Sequence, residues 1–262
     1  EPLTVPSNLG RAAHAWFLDR VRAADPALAE ALHSGQGPRP FTVSNLWELG
    51  RVRGAEASLS PERTYTLRVT SFSPELTAAV REKVLPNLPE TLTLVEAPFR
   101  VVSNTTDPAE HPWAAETTFE GLVQRFTLSS DLPRLVSLHF ASPTTFRVTG
   151  KKRTAPLPLP QWVFGGLLDK WNAFSPVQVH PDARRFAEEC LVISSYRLET
   201  RRIAFGPEGQ RGAYTGCLGV CRYYAEVADR YWLGLIHLLA GFSLYAGVGL
   251  RTTMGLGQAR KI

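Results

Sequence analysis

From Ser7 to Ala24 apolar residues recur with a helical period: Ala13, Trp16, Phe17, Val21 and Ala24 fall on one face, with Ser7 or Asn8 as N-cap. Asp25-Pro26 then opens a short second helix, Asp25 as its N-cap and Pro26 at its first position, running to His33 and stopping at Gly35. Gly37-Pro38-Arg39-Pro40 cannot continue a helix, and Phe41 to Leu46 reads as a strand. Two helices thus bring His14 and His33 into one neighbourhood. Further on, Thr64–Phe72, Thr91–Ser103 and Thr117–Leu128 read as strands and Ser73–Leu85 as a helix.

The pattern restarts after Leu132-Pro133. Arg134–Val148 predicts a strand, Leu159–Phe174 a helix, Cys190–Ile203 and Gly212–Tyr223 two strands, Asp229–Tyr245 a helix, and Gly255–Ile262 a closing strand. That order, β-α-β-β-α-β, is the split unit of a ferredoxin-like domain, and the first half reads as a looser copy of it once a strand precedes the first helix. The expected fold class is therefore α+β: tandem ferredoxin-like (RRM-like) domains, 1–130 and 134–262, antiparallel sheets with helices on one face. The aromatic octamer of RNA-recognition modules is absent.

Within the last segment stands Gly247-Val248-Gly249-Leu250-Arg251-Thr252-Thr253-Met254-Gly255-Leu256-Gly257. Two Gly-apolar-Gly units describe backbone that bends sharply and approaches something closely. Arg251, Thr252 and Thr253 set a guanidinium and two hydroxyls between the glycines, which suits phosphate; an elaborate turn before a last strand is the plainer reading. The spacing is not the dinucleotide fingerprint, and no Gly-Lys-Ser/Thr follows as in a P-loop.

Charge changes the picture toward an anionic partner. The 262 residues carry a net +5 with a sequence pI near 9.3, and the only lysines are Lys83, Lys151, Lys152, Lys170 and Lys261, so arginine supplies most of the positive charge. Lys151-Lys152-Arg153 is the single run of three basic residues. Three cysteines, Cys190, Cys217 and Cys221, suggest neither a disulfide framework nor a zinc site. No apolar run has the roughly 18 residues of a membrane span, and no signal segment opens the chain, so a reduced cytoplasmic setting without membrane attachment is expected.

Two histidines stand in reach of catalysis. His33, in the last turn of a short helix, sits where a helix end favours its proton; six residues on, Arg39 is a permanent cation. A helix-capping His is the structural alternative. His111, His139, His180 and His237 have no metal-ligand spacing and read as structural.

Leu32-His33, Gly37-Pro38-Arg39, Phe41-Thr42, Ser44, then Ser142-Pro143-Thr144-Thr145-Phe146-Arg147 and the double Gly-apolar-Gly tail resemble the CRISPR-associated repeat-RNA endoribonucleases of the Cas six family, in the RAMP superfamily. The resemblance implies a tandem ferredoxin-like protein that cuts the CRISPR precursor transcript within each repeat, with no metal and no cofactor. It also implies a β-strand before Glu1. His33 matches the family's usual catalytic histidine, and Arg39 stands where several members have a lysine. Leu18 stands where some have an assisting tyrosine, and His14 is positioned to take that vacant role. Gly247, Gly249, Gly255 and Gly257 match the signature loop.

Such chemistry needs a base for the 2′-hydroxyl, an acid for the 5′-oxygen and a cation for the extra charge of the transition state; imidazoles, with an unperturbed pKa of about 6.5, can serve the first two. Arg39, with a pKa above about 12, cannot be the acid. The expected catalytic set is His14, His33 and Arg39. The expected RNA contacts are Gly247, Gly249, Arg251, Thr252, Thr253, Gly255, Gly257, Arg147, Lys151, Lys152 and Arg153. The partner is CRISPR repeat RNA, and a homodimer or an effector complex stays open as an assembly. The alternative is a catalytically silent RNA-binding subunit of the same fold.

Overall fold

The computed structural model describes residues 3–35, 37–49, 52–129, 131–148, 150–205 and 212–262. By their internal contacts they fall into two units: Glu1–Ala115, Ile203–Ala213 and Thr253–Gly255 form the first, and Glu116–Arg202, Tyr214–Thr252 and Leu256–Ile262 the second.

In the first unit, a strand runs ahead of the first helix, Leu3–Pro6 (β1). Helix α1 (Gly10–Ala24) buries Ala13, Phe17 and Val21 on one face. Its predicted side-chain N-cap is replaced: Leu9 is the cap residue, its amide donates to Asn45 Oδ1 at 2.7 Å, and the Gly10 amide donates to Asn8 Oδ1 at 3.1 Å. Helix α2 (Pro26–Ser34) starts as its sequence predicts, Asp25 Oδ1 accepting from the Leu28 amide at 3.0 Å. Strands β2 (Phe41–Val43), β3 (Val52–Arg53), β4 (Glu56–Leu59) and β5 (Val69–Ser71) form two small antiparallel sheets, β1-β4-β3 and β2-β5. Helix α3 (Pro74–Ala79) widens into a π-turn over Val80–Val84.

The predicted strand Thr91–Ser103 is instead a hairpin, β6 (Thr91–Leu94) and β7 (Ala97–Arg100), turning at Val95 and Glu96 with φ of 48° and 66°. Neither residue is an Asn or Gly that would have announced a tight turn. Leu9, Phe17, Phe41, Val43, Leu76 and Leu94 meet in the core of this unit.

The second unit opens with a correction. Thr117–Leu128 is a helix, α4 (Phe119–Thr127), not a strand. Thr118 Oγ1 caps it by accepting from the Gly121 amide at 3.0 Å, and Phe119, Leu122 and Phe126 recur at helical spacing. The Phe119 ring packs edge-on to Trp171 and leans on Phe242. Strand β8 (Leu135–Thr144) alternates as predicted, burying Val136, Leu138 and Phe140. A two-strand hairpin follows, β9 (Phe146–Arg147) and β10 (Thr154–Ala155), then α5 (Pro160–Phe174), a short α6 (Ala183–Cys190) just ahead of the predicted strand, and the long strands β11 (Leu191–Ala204) and β12 (Ala213–Ala225).

Helix α7 (Arg230–Ala246) begins with Asp229 Oδ1 accepting from the amides of Tyr231 and Trp232, and ends at Gly247, whose φ of 61° few other residues adopt. The closing strand is short, β13 (Ala259–Lys261). The sheet runs β11-β12-β8-β13, with β12 and β13 both antiparallel to β8. This is the ferredoxin-like order for β-α-β-β-α-β. The fold class is α+β with tandem ferredoxin-like units, the first built from smaller sheets. Among the described residues, no helix is long and apolar enough to cross a membrane.

Candidate active site and glycine-rich loop

His14 lies in the middle of α1, half-buried, its ring stacked on Phe41 of β2 with centroids 5.7 Å apart and planes 20° apart. Its Nδ1 is 3.0 Å from the Thr253 carbonyl oxygen. A carbonyl only accepts, so Nδ1 carries the proton and donates, which leaves the lone pair on Nε2. Burial is the main influence on this ring and pulls its pKa below 6.5; the Thr253 carbonyl opposes that, while the charges of Arg39, Arg11 and His33 push the same way as burial. The outcome is a neutral imidazole of defined tautomer.

His33 ends α2 and is exposed. Arg39 reaches back so that its Nη2 donates to the His33 carbonyl at 3.1 Å, which ties the guanidinium to the last turn of the helix. Gly35 permits that return, since a Cβ there would sit 3.0 Å from the guanidinium and from the Ala31 carbonyl. The structure brings together His14, His33 and Arg39, and adds Thr253 as the group that orients the first.

Thr253–Gly255 belongs to the first unit through backbone. The Gly255 amide donates to the Val43 carbonyl at 2.9 Å, Ser44 and Gly255 form a parallel bridge, and Gly10, without a side chain, admits the Met254 carbonyl against the start of α1. Thr253 was expected to offer its hydroxyl; its carbonyl is what touches the site.

In the second unit the remaining glycines face the protein's own backbone. A Cβ on Gly249 would collide with the Thr145 carbonyl, and one on Gly257 with the Val248 carbonyl. One on Gly247 would lie 2.9 Å from the Gly257 oxygen. Six amides of the stretch are already engaged inside the chain: Gly247 to Ser243 O at 2.9 Å, Val248 to Gly257 O at 2.8 Å, Leu250 to Thr145 O at 2.9 Å, Gly255 as above, Leu256 to Arg251 O at 3.3 Å and Gly257 to Pro143 O at 3.1 Å. The glycines thus let the stretch clasp itself and the end of β8. Arg251 is its exposed residue, held at a left-handed φ of 57°, with its guanidinium 5.9 Å from the Tyr214 ring centre.

Arg147 ends β9, and Lys151, Lys152 and Arg153 lie in the turn to β10, all four exposed. The Lys151 amide donates to the Val148 carbonyl at 3.0 Å, closing the turn. This hairpin leaves the sheet beside Thr145, the residue whose carbonyl receives the Leu250 amide, so the basic turn and the glycine stretch share a base within the second unit. Lys170 goes unnoticed in the sequence; its ammonium donates to the carbonyls of Ala246 and Gly247 and to Thr252 Oγ1. Its rarity as a lysine in an arginine-rich chain is the one signal.

Comparison with known proteins agrees with this architecture. A Cas6 product complex from Thermus thermophilus superposes with a TM-score of 0.80 over 100% of both chains at 24% identity. A second Cas6 product complex gives 0.76 over 98% of this chain and 93% of its own, at 26% identity. A Cas6-related protein of Pyrococcus furiosus gives 0.58 over 100% of this chain and 95% of its own, at 15% identity. No curated protein matches in sequence. The fold is that of a RAMP protein. Residues 138–259 match the family described as CRISPR-associated endoribonuclease Cas6.

Proposed function

We propose that this protein cleaves CRISPR repeat RNA within the precursor transcript by attack of a ribose 2′-hydroxyl, with His14 as base, His33 as acid and Arg39 as the cation beside the phosphorane. The observation that carries the reading is the bond from His14 Nδ1 to the Thr253 carbonyl. It leaves Nε2 as the basic atom, and the lowered pKa keeps it unprotonated at neutral pH. Nε2 takes the 2′-hydroxyl proton; the 2′-oxygen attacks phosphorus in line; the P–O5′ bond breaks and the 5′-oxygen takes a proton from His33. Products are a 2′,3′-cyclic phosphate and a 5′-hydroxyl.

The Arg39 guanidinium, anchored on the His33 carbonyl, supplies fixed positive charge for the transition state. All protons and charge are thereby handled by side chains, so the reaction is proposed to need no metal. RNA phosphates are assigned to Arg251, Arg147, Lys151, Lys152 and Arg153, the exposed cations of the loop and hairpin. Thr252 and the four glycines act in shaping that surface.

Incubating the protein with repeat RNA in excess EDTA tests the reading. Cleavage with a cyclic phosphate end, abolished by one 2′-deoxy nucleotide at the cut, is expected. Activity that vanishes in EDTA and returns with magnesium overturns the mechanism, and RNA bound but never cut reassigns the protein as a silent binding subunit.

A further inference from the structure

We infer that Lys170 is a positioning residue for RNA binding: it locks Thr252 to the end of α7 and so holds Arg251 in its displayed conformation. The inference rests on the reading that Arg251 meets RNA. Lys170 Nζ donates to Ala246 O at 2.6 Å, Gly247 O at 3.2 Å and Thr252 Oγ1 at 3.3 Å. Two of these oxygens are the carbonyls at the C-terminal end of a 17-residue helix, where the peptide dipoles favour a cation. The third belongs to a threonine only 7% exposed, whose methyl fills the space that side chains on Gly247 and Gly257 would need. Thr252 is the hub on which both Gly-apolar-Gly units close.

Arg251, the preceding residue, carries a left-handed φ that a long side chain adopts only where its surroundings impose it. Thr252 is its adjoining neighbour, and what fixes Thr252 is the bond from the Lys170 amino group, whose pKa burial brings down to about 7. Lys170 itself lies with protein oxygens, so its contribution to RNA is made through Arg251 and not through phosphate.

Affinity for a 2′-deoxy-substituted repeat RNA, which binds without being cut, is measured for Lys170→Met, Thr252→Val, Arg251→Ala and the double variant Lys170→Met/Arg251→Ala. The first three are expected to weaken binding roughly tenfold, the scale of a lost hydrogen bond to a charged group. The double variant is expected to bind no worse than Arg251→Ala, because Lys170 has nothing left to position. A merely structural lysine lowers the melting temperature without that non-additivity. If Lys170→Met does not fold, Thr252→Val, which keeps the shape and removes only the acceptor, carries the test. Wild-type affinity in folded Lys170→Met beside a weakened Arg251→Ala overturns this inference alone, as does an additive double variant. Wild-type affinity in Arg251→Ala overturns the reading of the loop as well.

Discussion

A threonine carbonyl sits at the centre of each of the two regions that matter here, and the two carbonyls act in opposite ways. In the first unit the Thr253 oxygen accepts from His14 Nδ1 and thereby aims a reactive side chain. In the second, the Thr145 oxygen occupies the space where Gly249 would carry a Cβ and thereby forbids a side chain. The first region is organised around what its residues do, the second around what its residues lack. Substitutions should consequently damage turnover in one and folding in the other, and variants should rank by how hard they press on that contrast.

The largest effects belong to the histidines. His14→Ala and His33→Ala are each expected to slow single-turnover cleavage roughly 10²-fold or more while leaving RNA affinity and melting temperature near wild type. The pH profile sharpens the assignment. A base must be deprotonated to act, so cleavage falls as pH drops through the His14 pKa, which burial holds below 6.5. The acid limb of the wild-type profile should lie below that value and disappear in His14→Ala. A mutant that cuts at the normal rate would reduce His14 to a helix-face residue.

Next come the glycines. Gly249→Val would drive two methyl groups toward the Thr145 backbone at a φ of 77°, and Gly255→Val would crowd the Asn45 amide and Gly10 Cα at a φ of 95°. Overpacking at either is expected to cost about 1–3 kcal/mol of stability before any RNA is added. The expectation that the glycines exist for close approach of phosphate would have left the fold intact. Gly37, near His33, is the internal control: its φ is also 95°, but nothing lies within 4 Å of its absent Cβ. Gly37→Ala should cost only the backbone term, about 1 kcal/mol. Equal losses at Gly37 and Gly249 in thermal unfolding would mean that the left-handed backbone, not the packing, explains the glycines.

Much of this architecture is legible in the residues themselves. Asp25-Pro26 and Asp229 mark helix starts by local chemistry, and the alternation of Val136, Leu138 and Phe140 marks a half-buried strand; in each case the residues that reveal the element are the ones that stabilise it. Thr117–Leu128 misleads because its apolar residues satisfy both periods in part, and the Thr118 cap decides for helix. The hairpin at Val95-Glu96 is hidden because its turn uses residues that disfavour positive φ. In the candidate site, His14, His33 and Arg39 stand out because their side-chain types suit the proposed chemistry. The role of Thr253 does not, since a backbone carbonyl is the same in every residue. The direction of a missing Cβ is likewise invisible in a run of glycines.

The smallest expected effect is also the cleanest separation of charge from architecture. Lys151, Lys152 and Arg153 lie in an exposed turn, held by a Lys151-to-Val148 backbone bond that survives truncation of every side chain in the run. Alanine at all three should therefore leave folding unchanged, unlike valine at Gly249, and leave the rate of the bound complex unchanged, unlike alanine at His14. What should change is binding, for many RNA sequences alike, because a flexible ammonium or an exposed guanidinium meets phosphate without reading bases. Each phosphate left without its cation should lower the slope of log affinity against log salt by roughly 0.7 on single strands, somewhat more on a duplex stem. A triple variant with wild-type slope would remove the hairpin from the RNA surface and leave Arg147 and Arg251 as its cations. A slope reduced together with a slower bound-state rate would mean that the hairpin positions the RNA for attack, and the division between a region that reacts and a region that grips would no longer hold.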